Sequence, residues 1–123
     1  MGLFFYSREA YDLAIGEFRR ALKIALFPMA GLHVNLGAAY LGKKMYAEAQ
    51  ASLLTGLRLE PDNQKAHWFL ARTLQIIGRL EEAAAEFEKA RAIDPESPEG
   101  RQAQEELRAL SAAMARSAPG GPR

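Results

Sequence analysis

The chain repeats its own residue pattern at an interval of 34 positions. Four positions recur in this way: Leu36, Tyr40, Ala49 and Pro61 return as Leu70, Leu74, Ala83 and Pro95. A unit of this size cannot bury its own apolar face, so neighbouring units must stack and share one core. The interval therefore predicts a stacked repeat protein, and it favours a surface that binds another protein.

Within each interval, the apolar residues recur at the spacing of two short helices. The four predicted helices span residues 31–42, 46–59, about 64–77 and 80–93. A turn at Gly42-Lys43-Lys44 separates the first pair, and Gly78 can adopt the left-handed conformation that ends a helix. Pro61 and Pro95 close the two pairs, because proline lacks a backbone donor and biases the preceding residue away from helix. Each unit is thus predicted to be a helical hairpin.

This pattern resembles the tetratricopeptide repeat family, whose consensus runs W-x2-L-G-x2-Y, then A-x3-F, then P. The first complete unit has the pattern His33-x2-Leu36-Gly37-x2-Tyr40, then Ala49-x3-Leu53, then Pro61. The second has the pattern His67-x2-Leu70-Ala71-x2-Leu74, then Ala83-x3-Phe87, then Pro95. Small residues stand where paired helices must approach closely, namely Gly37, Ala49, Gly56, Ala71, Ala83 and Ala90. In both units His replaces the family's Trp, which predicts more polar packing there. The resemblance implies an all-α fold, an alpha-alpha superhelix built as a right-handed solenoid of helix-turn-helix repeats.

The resemblance also divides the chain into a single domain, residues 1–116, and a tail. The expected parts are a partial repeat (1–28), two repeats (29–62 and 63–96), a capping helix (97–116) and a disordered tail (117–123). In the partial repeat, Tyr11, Ala14, Phe18 and Ala21 match a second helix, whereas Gly2 and Phe5 match the end of a first helix. We therefore expect apolar side chains at this end to lie partly uncovered, among them Leu3, Phe4, Phe5 and Tyr11.

The segment after Pro95 carries the signals of a capping helix. Ser97 followed by Pro98 offers a side-chain acceptor and a fixed φ at a helix start. A thin apolar stripe of Ala103, Leu107, Leu110 and Met114 lies opposite the polar residues Arg101, Glu105, Glu106 and Arg108. Such a helix solubilises the end of a repeat stack. A helix that binds a partner is the alternative interpretation.

In the family that the chain resembles, the first helix of each unit lines a concave groove that binds a peptide or a helix of another protein. Carried over to this chain, the groove residues are Tyr6, Val34, Asn35, Ala38, Leu41, Lys65, Trp68, Arg72, Gln75 and Ile76. Trp68 is the expected anchor, because a rigid aromatic side chain offers a large contact area at little cost in entropy. Lys65 and Arg72 favour a ligand with an apolar side chain and a carboxylate. The competing interpretation of Trp68 is packing against the neighbouring unit.

Two other functions remain open at this stage. A specialised form of the groove grips the terminal carboxylate of a chaperone, and Asn35 and Lys65 match two of its positions, whereas Phe69 stands where that form requires Arg. A chaperone-binding adaptor is therefore a weak alternative. The second hypothesis is a structural subunit or a self-assembling scaffold, which joins a homo-oligomer or a larger complex by docking through its incomplete N-terminal end.

Composition argues against several classes of function. The net charge of +1 supplies no electrostatic reason to expect nucleic acid, and no apolar run is long enough to insert into a membrane. The chain has no cysteine, and its two histidines, His33 and His67, occupy equivalent packing positions without a third metal ligand. Gly37 to Lys44 matches part of a phosphate-binding loop but lies inside a predicted helix. We expect no enzyme, no cofactor, no metal and a cytoplasmic location.

Overall fold

The structure is a computed structural model that describes residues 8–25 and 29–117. Over these residues it contains six helices: α1 (Arg8–Ile24), α2 (Ala30–Gly42), α3 (Tyr46–Leu59), α4 (Gln64–Ile76), α5 (Leu80–Ile93) and α6 (Pro98–Ser117). The bounds of α2 to α5 agree with the predicted helices to within one residue. The predictions for Gly2 to Tyr6 and for the end of the tail lie outside the described residues.

The helices form two layers. Each helix packs against the next one in the chain, and in addition α2 contacts α4 and α4 contacts α6. Within the described part of the chain, the alternate helices α1, α3 and α5 do not approach one another in this way. The inner layer of α2, α4 and α6 is therefore closed while the outer layer is spread apart, which bends the array around its inner helices. The predicted all-α superhelix is confirmed.

Small residues allow the paired helices to approach closely. A Cβ atom added to Gly37 in α2 would lie 2.6 Å from Cγ of Leu53 in α3, so only glycine permits this contact. In the next unit, Ala71 and Phe87 occupy the equivalent positions, and both are fully buried. The interpretation of these small residues as packing positions is confirmed. The helical hairpins are thus held by interdigitated apolar side chains, as the repeat pattern requires.

The core has a main part and a smaller part. The main cluster joins α2 to α6 and contains the fully buried side chains of Leu53 and Phe87. The smaller cluster joins α1 to α2 through Ile15 and Leu36, with Phe18 packed against it. Phe18 is half-buried, whereas the equivalent residues of α3 and α5 are fully buried. The apolar face of α1 is consequently the least covered part of the described array.

The two turns within the hairpins have the same backbone geometry. Gly78 has a φ of 90°, and Lys44, which stands 34 positions earlier, has a φ of 66°. After each turn a backbone amide returns to the preceding helix: Met45 N donates to Tyr40 O and Arg79 N donates to Leu74 O. The left-handed conformation predicted for Gly78 is confirmed. At Lys44 the same conformation is adopted by a residue with a Cβ atom, which costs free energy.

Helix α6 begins in register with the repeat. Ser97 Oγ accepts a hydrogen bond from Gly100 N at 3.0 Å, just as Asn63 Oδ1 accepts one from Ala66 N at 2.9 Å. The positions of α4 that bury against α5 are polar in α6, where Arg101, Gln104, Glu105 and Arg108 replace His67, Leu70, Ala71 and Leu74. The face of α6 that another repeat would cover is therefore polar, which suits the end of a stack.

Candidate functional site

The inner face of α4 and α6 contains an open pocket. Trp68 and Arg72 of α4 form one wall, and Gln102, Glu105 and Glu106 of α6 form the other. The volume is about 260 Å³, which is enough for a single side chain of a ligand. Trp68 and Arg72 share a wall because residues four apart lie one above the other on a helix. The pocket combines an aromatic ring with charges of both signs.

Trp68 is held rigidly. Its ring meets Phe69 edge to face at 5.3 Å and Phe87 at 6.5 Å between centroids, and the Arg72 guanidinium carbon lies 5.9 Å from the ring centroid. Its Nε1 atom is buried and has no hydrogen-bond partner within the described part of the chain. The side chain is half-buried, so it packs against the core and also lines the pocket. Packing of Trp68 on the core is therefore observed, whereas its role as an anchor for a ligand stays a prediction.

A chain of hydrogen bonds connects α4 to α6 beside the pocket. Arg72 Nη1 donates to Gln75 Oε1 at 2.7 Å, and Gln75 Nε2 donates to Glu106 Oε1 at 2.9 Å. The neutral amide of Gln75 therefore holds a cation and an anion on opposite sides of the pocket. This arrangement fixes the position of both charges without joining them in a direct ion pair.

The other predicted groove residues lie at different depths. Lys65, Ile76 and Asn35 are exposed, whereas Ala38 and Leu41 are half-buried. Lys65 and Ile76 flank Trp68 and Arg72 along α4, so the α4 residues form one continuous surface. Tyr6, the predicted groove residue nearest the start of the chain, lies outside the described residues.

Val34 was expected to line the groove but is buried instead. Its exposed fraction is 3%, and it belongs to the main core. The reason is the glycine opposite it in α3: a Cβ atom on Gly56 would lie 2.9 Å from Val34 Cγ2. The helices are close enough here for the valine side chain to insert between them. We therefore remove Val34 from the proposed binding surface.

Sequence reasoning missed the contribution of α6 to the pocket. Gln102 and Glu106 stand 34 positions after Trp68 and Arg72, so the repeat interval, continued beyond the two complete units, would have found them. This signal is weak, because the residues of α6 no longer match the apolar consensus. The register shared by the helix starts at Asn63 and Ser97 shows that the interval still holds there.

A second polar group lies on the outer side of α4. His67 is 7% exposed, and its two ring nitrogens contact two acceptors: Nδ1 lies 2.7 Å from Glu86 Oε1 and Nε2 lies 2.8 Å from Pro61 O. The prediction that His67 fills a packing position is confirmed, and its polar partners are the feature that the sequence did not reveal. The pair borders an open cavity of about 530 Å³ that is otherwise lined largely by apolar residues.

These contacts shift the protonation of both groups. The hydrogen bond to Glu86 raises the pKa of His67 above its ordinary value, against the opposing effect of burial. Burial alone would raise the pKa of Glu86, but the hydrogen bond from His67 and the charge of Lys89 outweigh it and lower that pKa. The geometry agrees, because a carbonyl and a carboxylate both require a donor from the ring. In its imidazolium form, His67 thus connects α4, α5 and the turn before α4.

Within the described ranges, no group of three or more His, Cys, Asp or Glu side chains is placed to hold a metal ion. None of the six described helices is both long and apolar enough to cross a membrane.

Comparisons with solved structures agree with the fold of stacked helical hairpins. The first TPR of Spaghetti (RPAP3), solved with an HSP90 peptide, is 26% identical, and the match covers 93% of this chain and 87% of that chain with a TM-score of 0.79. The first TPR domain of human RPAP3 is 25% identical, with 94% and 87% coverage and a TM-score of 0.79. PcrH from Pseudomonas aeruginosa is 22% identical, with 89% and 86% coverage and a TM-score of 0.77.

A search of curated proteins finds no match. A family model, TPR_16, described as a tetratricopeptide repeat, matches residues 34–98, which is more than half of the chain. The chain therefore belongs to the tetratricopeptide repeat family.

Proposed function

We propose that the chain is a non-catalytic module that binds a segment of a partner protein in the groove formed by α2, α4 and α6. The observation that carries this proposal is the pocket on the inner face, where Trp68 and Arg72 stand opposite Glu105 and Glu106. A rigid aromatic side chain beside fixed charges is typical of the centre of a protein interface. The curvature of the array brings these residues onto one concave surface.

Similar proteins support a peptide as the ligand. The first TPR of Spaghetti is bound to the HSP90 peptide SRMEEVD. The second TPR domain of human RPAP3, which is 25% identical to this chain with a TM-score of 0.73, is in complex with the HSP70 peptide SGPTIEEVD. These relatives show that an array of this length and curvature can hold a short segment of another protein.

In our proposal, the ligand is an internal segment of the partner protein rather than its terminus. Asn35 and Lys65 are exposed and match two positions of the groove that grips a terminal carboxylate. At the position where that groove requires Arg, Phe69 packs edge to face on Trp68 and against the main core. An apolar ring cannot donate hydrogen bonds to a carboxylate, so the terminal-carboxylate function is the weaker candidate.

A retention experiment tests the groove. The immobilised chain is compared with the double variant Trp68→Ala, Arg72→Glu in a peptide array and in lysate capture. Removing an aromatic anchor and reversing the adjacent charge should weaken retention at least about tenfold. The matched control is Leu54→Ala, Arg58→Glu on the outer helix α3, where both residues are exposed. Equal retention by the two double variants would contradict the proposal.

Because Trp68 also contacts the core, the double variant requires a fold check. Circular dichroism shows whether the variant keeps its helices, and Arg72→Glu alone leaves the contacts of Trp68 with Phe69 and Phe87 in place. A ligand that is lost in the single variant as well as in the double variant is bound through the groove surface and not merely through an intact core.

A second candidate is docking of the chain into a larger assembly through α1. Its support is the exposed apolar surface of that helix, where Leu13 is 69% and Ile24 is 80% exposed. Sedimentation velocity over a range of concentrations tests self-association. A rise in mass with concentration that the variant Leu13→Asp, Ile24→Asp abolishes would support this candidate, and a constant monomer mass would contradict self-association.

A further inference from the structure

Equivalent positions of the three inner helices form two rows across the groove. At the interval of 34 residues, the first row contains Gly31, Lys65 and Glu99, and the second contains Ala38, Arg72 and Glu106. In each row, the α2 residue is uncharged, the α4 residue is basic and the α6 residue is acidic. The agreement of two independent rows gives the groove a charge order, in addition to an aromatic anchor.

The structure brings the two charged members of the second row onto the same surface. Arg72 and Glu106 line the same pocket, and Gln75 bridges them. Lys65 is exposed and Glu99 is half-buried. The shared helix starts described above keep α6 in register with α4, so both rows run across the array in parallel. Helix α2, over its whole length from Ala30 to Gly42, contains no Asp, Glu, Lys or Arg.

The charges of the rows do not neutralise each other. No ion pair joins a basic residue of α4 to an acidic residue of α6 in the described part of the chain. Arg72 donates to a neutral amide, and Glu106 accepts from the same amide. Both charges therefore remain able to interact with a ligand that lies across them.

We infer that the groove selects an extended partner segment in which an apolar, an acidic and a basic residue follow one another, facing α2, α4 and α6 respectively. This inference rests on the proposed function. Packed helices lie about 8 to 10 Å apart. A polyproline II segment rises about 9 Å in three residues and returns each third side chain to the same side. Successive members of this set of three residues are therefore three positions apart in the ligand sequence.

The order of the charges carries the specificity. A segment with the acidic and basic residues exchanged has the same composition and net charge, but it places like charges opposite each other on both α4 and α6. Opposite charges across an interface fix the register of a ligand, and juxtaposed like charges reject the wrong one. The preference should weaken at high salt, since exposed charges are screened.

Two capped peptides test the inference directly. The first is Leu-Pro-Ala-Glu-Pro-Ala-Lys and the second is Leu-Pro-Ala-Lys-Pro-Ala-Glu, and each is also made in reversed sequence to cover both directions of binding. Trp68 is the single tryptophan of the chain, so its fluorescence reports occupation of the groove. At low salt, the peptides with the acidic residue in the middle should bind about fivefold more tightly than those with the basic residue in the middle.

A charge-exchange variant makes the test specific. The double variant Arg72→Glu, Glu106→Arg reverses the charge order of the second row. The preference between the two peptides should therefore shrink or invert. The amide of Gln75 can still bridge both side chains, because it offers a donor and an acceptor. The control Arg58→Glu, Glu81→Arg makes the same exchange on α3 and α5, outside the rows, and should keep the wild-type preference.

Equal binding of the two charge orders, or an unchanged preference in the exchange variant, would overturn the inference while leaving the groove proposal standing. The inference also fails if none of the peptides changes the fluorescence of Trp68. The groove proposal fails on a different result, namely equal retention of natural ligands by the variant Trp68→Ala, Arg72→Glu and its control Leu54→Ala, Arg58→Glu.

Discussion

Raising the pH above neutrality should destabilise this protein through one side chain, His67. In the folded protein one ring nitrogen contacts the Glu86 carboxylate and the other contacts the carbonyl of Pro61, so the protonated ring donates to both. A neutral imidazole has a single N–H, so loss of the proton removes one of these two hydrogen bonds. A hydrogen bond that involves a charged group contributes about 2 kcal/mol to stability. This value is the upper limit of the loss, and it compares with a total stability of about 5 to 15 kcal/mol for a small domain.

The direction of the effect follows from the two pKa shifts. The pKa of His67 is raised by its hydrogen bond to Glu86, so the stabilisation is complete below the ordinary value of about 6.5 and is lost as the pH rises through the higher pKa of the folded state. Burial opposes the lowering of the Glu86 pKa, but the hydrogen bond from His67 and the charge of Lys89 prevail. The Glu86 contribution is present above its ordinary value of about 4.3 and is lost as the pH falls through its lower pKa in the folded state.

Urea unfolding followed by circular dichroism measures this dependence. Between about pH 6 and about pH 9, the free energy of unfolding should fall by at most about 2 kcal/mol, because burial of the charged ring offsets part of the hydrogen-bond energy. The variant Glu86→Gln removes the carboxylate that holds the proton and should flatten the profile, whereas Glu81→Gln, at an exposed position of the same helix, should retain it. A flat profile for the wild-type protein, or an equal slope in Glu86→Gln, would refute the assignment of two donors to His67.

Substitutions at four further positions have expected outcomes in the same unfolding assay. Lys44→Gly should stabilise the protein by about 1 kcal/mol, because Lys44 adopts a φ of 66°. Gly78→Ala should destabilise it by a similar amount, because Gly78 adopts a φ of 90°. Stability changes of the same sign in the two variants would contradict this reasoning. Phe87→Ala should cost about 4 kcal/mol, since the ring is fully buried, and a cost below about 1 kcal/mol would contradict its place in the core. Asn63→Ala should cost about 1 kcal/mol through loss of its hydrogen bond to Ala66 N, which Asn63→Asp should largely preserve.

The sequence by itself determined the repeat, the helix bounds of α2 to α5 and the small residues of the hairpins. These features are local, because a helical period, a proline or a glycine acts within a few residues of its own position. The repeat interval then extends local information to tertiary packing: if Gly37 meets Leu53, the equivalent residues of the next unit meet in the same way. This is why the fold of a repeat protein is more accessible from sequence than its binding site.

The tertiary structure decided which groove positions face outward. Val34 and Trp68 are equivalent in the repeat, yet Val34 is buried and Trp68 lines the pocket. The difference arises because Gly56 allows α3 to approach Val34, and side-chain depth depends on such contacts between helices rather than on the residue's own position in its helix. The pairing of His67 with Glu86 has the same origin. Glu86 is 19 residues away in α5, so only the packing of α4 against α5 brings it to His67, whereas Pro61 is six residues away in the turn before α4.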